Sequence, residues 1–130
     1  MRYLLDTDAA IALLKGRPEA TRWLAERWPS EVTLSGVTKA ELYYGARKSR
    51  RVEHNLEVLR GFFEPFVSLP FDDRAAEEYG LIRADLERAG TPIGPNDLLI
   101  AALARSRDLG LVSRNVRELG RVAGLRVLDF

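Results

Sequence analysis

Cysteine is absent from this 130-residue chain, and histidine occurs once, at His54. The first absence excludes a disulfide framework, a thiolate metal site and a Cys nucleophile. The second leaves any serine-type triad dependent on His54, whose neighbours Arg50, Arg51, Glu53, Asn55 and Glu57 read as a solvated helix face. Lysine is scarce as well: Lys15, Lys39 and Lys48 stand against 17 arginines. Long apolar runs are missing, and the longest clean one, residues 98–104, falls far short of the roughly 20 needed to span a bilayer. Asp6 and Asp8 interrupt the first apolar stretch before it reaches signal-peptide length, so a cytoplasmic location is expected. A large net charge is lacking too. At +1 no global field recruits nucleic acid, and an RNA contact must use a local patch such as Arg47, Lys48, Arg50 and Arg51.

What is present is ordinary globular material: 46% hydrophobic and 30% charged residues, with no repeat, no low-complexity stretch and no linker. One domain over 1–130 is expected, burying roughly two-thirds of its unfolded surface. Short apolar runs at 2–5, 32–34, 66–69, 111–113 and 126–128 read as strands. Between them, helices are expected over 9–15, from Pro18 through Trp28 to the stop at Pro29, over 37–48, 51–63, 72–88, 95–107 and 116–120. Gly16, Gly90 and Gly110 lie where left-handed helix ends are expected. Trp23 and Trp28 read as core or interface packing, not as a base-stacking platform. Strands alternating with helices predict an α/β fold of three layers, a central parallel sheet of about five strands flanked by helices.

In such sheets ligands sit outside the carboxyl ends of the strands. Asp6 follows the first strand, 113–115 follows the fourth, Asp97 falls in the first turn of its helix, and Glu41 shares an apolar helix stripe with Val37 and Tyr44. Each acid has an ordinary explanation. An Asp at a strand-to-helix turn caps the helix, and the expectation is that Asp8 caps while Asp6 ligates. Asp97 gains about 0.3–1 kcal/mol from the helix dipole. Glu41, on a buried stripe, needs either an arginine partner or a cation. Taken together the set suggests Mg2+ or Mn2+ held by a few carboxylates, with phosphate oxygens and water completing the shell. Haloacid-dehalogenase-type phosphatases and receiver domains also gather strand-end Asp residues. Both want a lysine at the active rim, and all three lysines lie before residue 49.

Four segments, Leu5-Asp6-Thr7-Asp8, residues 37–46 around Glu41, Pro92-Ile93-Gly94-Pro95-Asn96-Asp97 and Leu111-Val112-Ser113-Arg114-Asn115, together resemble the PIN-domain family. The similarity is to the branch of VapC-type ribonuclease toxins, and it runs over essentially the whole chain. It implies the PIN three-layer fold, a Mg2+- or Mn2+-dependent endoribonuclease aimed at tRNA or other structured RNA, a homodimer, and neutralisation by a cognate VapB-like antitoxin. Family roles fall on Asp6 and Asp97 as metal ligands, on Glu41 as the third acid, and on Asn115 at the fourth position, with Ser113 and Glu118 nearby. Asp8 is an extra acid where the family commonly has Asn or Ser, and the resemblance is compatible with one metal ion or two. The rival from another class is a non-catalytic PIN-like module that binds an antitoxin-like DNA-binding protein.

Overall fold

The computed structural model describes all 130 residues. Five parallel strands, β1 (Tyr3–Leu5), β2 (Val32–Ser35), β3 (Val67–Leu69), β4 (Gly110–Val112) and β5 (Val127–Leu128), form one sheet in the order β3-β2-β1-β4-β5. Seven helices cover it: α1 (Thr7–Leu14), α2 (Pro18–Ala25), α3 (Gly36–Arg47), α4 (Val52–Phe63), α5 (Asp73–Arg88), α6 (Pro95–Ser106) and α7 (Val116–Leu119). Side chains alternate along a strand, so neighbours in sequence enter opposite cores. Leu4 and Leu111 pack with Ile82, Leu86, Leu98 and Leu103 on the α5–α6 side. Leu5, Val112, Val32 and Leu34 pack with Ala9, Ala10, Trp23, Leu42, Leu59 and Phe63 on the α1–α4 side. The three central strands β2, β1 and β4 are therefore buried on both faces, as parallel strands between two helix layers are, while the edge strands β3 and β5 are partly exposed.

The expected three-layer α/β/α architecture is observed, with differences that have local causes. The helix expected through Trp28 stops at Ala25. Arg27 lies over the Trp23 ring at 4.1 Å and donates to the Trp23 carbonyl at 2.7 Å, which satisfies the last turn and leaves Trp28 extended and 74% exposed. Trp23 is core, as expected, and Trp28 is not. Gly110 is not a helix terminus. Asp108, at φ 54°, makes the left-handed turn after α6, while Gly110 lies inside β4, where a Cβ would come within 2.6 Å of Leu128. Gly16 and Gly90 do adopt the left-handed conformation, at φ 68° and 71°.

The parallel register brings the carboxyl ends of β1, β2 and β4 to one edge, with Leu5 opposite both Leu34 and Val112. The N-termini of α1 and α3 start from that edge. No helix is long and apolar enough to cross a membrane.

Candidate active site

The edge above β1, β2 and β4 carries five carboxylates. Asp6 leaves β1 buried, at 3% exposure, and serves as the N-cap of α1 by accepting from the Thr7 N–H at 2.7 Å. The capping role expected of Asp8 therefore belongs to Asp6, because a β-region residue directly before the first helical turn is where a short carboxylate reaches an N–H. Asp8 instead folds across to β4, accepting from the Arg114 N–H at 3.2 Å. The second Asp6 oxygen accepts from the Ser113 hydroxyl at 2.8 Å, and that hydroxyl oxygen in turn accepts from the Asn115 N–H at 2.9 Å. One residue past β4 thus fixes the acid that ends β1.

Glu41 lies in the middle of α3 and is anchored from α1. Its Oε1 accepts from the Thr7 hydroxyl at 2.7 Å, and that hydroxyl sits 3.1 Å from Thr38 Oγ1. Asn115 donates through Nδ2 to Glu118 at 2.9 Å, and the other Glu118 oxygen accepts from the Gly94 N–H at 3.1 Å. This ties the chain after β4 to the loop that starts α6. Asp97, in the first turn of α6, is half-buried and is the one carboxylate of the five that accepts no hydrogen bond from the protein.

Electrostatics show that the five share one space. Burial first, then Asp8, pushes Asp6 up from 3.8 to about 6, against the lowering effect of the Ser113 and Thr7 hydrogen bonds, with Asp97 adding to the rise. Asp97 is raised too, by burial and then by Glu118, Asp8 and Glu41. Glu118 is lowered by its hydrogen bonds from Asn115 and Gly94. Nine ion pairs form elsewhere on the molecule, yet none involves Asp6, Asp8, Glu41, Asp97 or Glu118. The arginine partner weighed for Glu41 is absent. No three acidic or imidazole side chains close on a single point.

A sequence model of the PIN domain family matches residues 3–125. The chain belongs to the PIN-domain family. Within it, this PIN domain is 42% identical over 130 residues to the tRNA(fMet)-specific endonuclease VapC of Salmonella typhimurium, covering 100% of this chain and 98% of that protein. The crystal structure of DNA-bound VapBC from Salmonella typhimurium superposes with a TM-score of 0.94 at 42% identity, covering 99% of this chain and 98% of that one. VapBC2 from Rickettsia felis, bound to a DNA fragment from its promoter, gives 0.94 at 30% identity over 100% and 99%. The resemblance read from four short segments thus extends to the whole PIN domain and to its VapC branch.

Of the residues singled out from sequence, Asp6, Glu41, Asp97 and Asn115 all reach this rim, Asn115 through Glu118 and Ser113 rather than as a free group. The segment 47–51 lies at the end of α3, where Lys48 sits 5.0 Å from the Tyr44 ring and Arg47, Arg50 and Arg51 are exposed. His54 is exposed on α4, as its neighbours implied. Sequence reasoning missed Thr7, the anchor of Glu41. Its position between two acids at a strand end was the available signal.

Proposed function

We propose that this protein is a metal-dependent endoribonuclease, the toxin of a toxin-antitoxin pair, that hydrolyses phosphodiester bonds in tRNA or another structured RNA. One observation carries the reading: five carboxylates gathered at the ligand-binding edge of a VapC-type PIN domain, with no cationic side chain paired to any of them. Such a set costs folding free energy unless a cation or a partner compensates it.

The donor set suits Mg2+ or Mn2+. It is all oxygen, Asp97 is left without a hydrogen-bond donor, and one or two carboxylates with water and substrate phosphate are what Mg2+ ordinarily takes. Asp6 and Asp97 would hold the ion, which when bound supplies Lewis-acid stabilisation of phosphate charge and lowers the pKa of a bound water. The chain's own residues do the rest. Ser113 and Thr7 fix the two Asp6 oxygens, leaving little freedom of orientation. Thr7 holds Glu41 by one oxygen and leaves Oε2 to accept the proton of the attacking water. Asn115 and Glu118 position the Gly94 loop, and so Asp97.

A VapB-like antitoxin is the proposed partner, and a homodimer the proposed toxin assembly. A cleft of about 750 Å3 between α1, α3 and α4, floored by Ile11, Leu14, Leu42 and Leu59, borders Glu41 and suits an apolar peptide face. An arginine of that peptide, set against Asp6 and Asp97, would neutralise the rim through charge-assisted hydrogen bonds. The test is cleavage of total tRNA by purified protein in millimolar Mg2+ and in EDTA, with Asp97→Asn alongside. Cleavage confined to wild type with Mg2+ or Mn2+ is the expected result. No cleavage by a folded, antitoxin-binding wild type would leave the non-catalytic binding module.

A further inference from the structure

A second cleft opens beside α1 and shares Ile11 and Lys15 with the first. It measures about 420 Å3, with Ala12 at its base and Asp8, Lys15, Arg17, Arg114 and Asp129 around it. We propose that this cleft grips a backbone phosphate of the substrate RNA next to the cut, through Lys15 and Arg17. The inference rests on the ribonuclease reading above and adds the residues that orient the strand.

The cleft is continuous with the acidic rim through Asp8, which lines the cleft and whose Oδ1 lies 3.5 Å from the Ser113 hydroxyl that donates to Asp6. Asp8 and Lys15 are seven residues apart, two helical turns on one face of α1 and its end, so about 10 Å separates the acid from the cation along the helix axis. An RNA strand whose scissile phosphate lies over the carboxylates passes along this face to reach solvent.

The three cations are not equivalent. Arg114 is already paired with Glu19 at 3.2 Å and with Asp129 at 3.5 Å, while its own N–H holds Asp8. Lys15 and Arg17 enter no ion pair. They flank Gly16, whose left-handed φ of 68° makes a tight turn, and that turn is pinned by Gly16 N–H to the Leu13 carbonyl and Arg17 N–H to the Ala12 carbonyl, both at 3.0 Å. Two free cations are thus presented from a fixed backbone, which limits the entropy lost when they engage a phosphate. Ile11 and Lys15 line both this cleft and the apolar one, so Arg17 is the cation of the pair that belongs to this cleft alone, and its more polar lining suits a phosphate where the apolar cleft suits a peptide.

The experiment compares Lys15→Gln/Arg17→Gln with a charge-matched control, Arg2→Gln/Arg126→Gln, whose side chains are exposed at the amino ends of β1 and β5. For cleavage of tRNA, KM should rise roughly tenfold in the first variant with kcat retained, and the control should match wild type. In an Asp97→Asn background that cannot cut, the slope of log K against log salt should flatten by about 0.7 for each phosphate no longer gripped. The charge-preserving Lys15→Arg/Arg17→Lys variant should recover most of the affinity. A wild type that neither binds nor cuts RNA would defeat both the ribonuclease reading and this one. A wild type that cuts, with unchanged KM and salt slope in Lys15→Gln/Arg17→Gln, would overturn the cleft assignment alone. So would loss of antitoxin affinity with RNA binding intact, since the cleft would then belong to the protein partner.

Discussion

Replacing Asp6 by Asn should make the metal-free protein more stable at neutral pH, even though Asp6 is central to the site. Burial and the neighbouring Asp8 raise this carboxyl from 3.8 to about 6, roughly two units, so ionising it costs the fold roughly 3 kcal/mol. The sign is that of a raised acid: the favourable contribution of the protonated form is present below pH 3.8 and is lost as pH climbs through 6. The asparagine of the variant would keep the cap on the Thr7 N–H, as Asn caps as well as Asp, but would forfeit the charge-assisted bond from Ser113. A net gain of about 1–2 kcal/mol at pH 8 follows, or a Tm rise of roughly 3–10 °C for a domain of this size. Thermal scans of both proteins in EDTA at pH 4 and pH 8 measure it, with the gap expected to vanish at pH 4. A variant that melts no higher at pH 8, or a gap equal at the two pH values, would refute the burial argument.

Millimolar Mg2+ should raise the melting temperature of wild type, by the equivalent of about 2.7 kcal/mol at a hundredfold excess over Kd, and that of Asp97→Asn far less, which the same scans resolve. Ser113→Ala removes the hydrogen bond that favours ionised Asp6, so the Asp6 titration followed by NMR should move above about 6 and cleavage should fall. Leu103→Ala, at a fully buried position of α6, should cost about 2–5 kcal/mol in urea unfolding, whereas Leu81→Ala at 57% exposure should stay within about 0.5 kcal/mol.

The sheet was legible because each strand is a short apolar run bounded by a turn residue, and parallel pairing follows once helices separate the runs. The helix containing Trp23 ends earlier than its spacing implies, because apolar residues recur at helical spacing up to Trp28 while Arg27, four residues after Trp23, folds back over its ring and donates to its carbonyl. Asp6 takes the capping role expected of Asp8 for a local reason, because α1 starts at Thr7, two residues before the expected start at Ala9. Their remaining contacts are tertiary: the return of β4 beside β1 sets Ser113 Oγ 2.8 Å from Asp6 and 3.5 Å from Asp8, and the Arg114 N–H on Asp8. The stripe of Val37, Glu41 and Tyr44 expected to face the core is not the buried one: Thr38, Leu42 and Ala46 face it, Tyr44 is 66% exposed, and Glu41 is half-buried at its margin. The Glu41 anchor, Thr7, was not legible, because that hydrogen bond joins residues 34 positions apart.

If these carboxylates cut RNA, the cut ends are visible in cells that make the protein. Sequencing RNA 5′ ends shortly after induction of wild type and of Asp6→Asn in the same cells tests this most directly. New ends at a small number of positions in tRNA or another structured RNA are expected with wild type, and none with the variant. The same ends from both proteins, or growth arrest by wild type without any new ends, would contradict it.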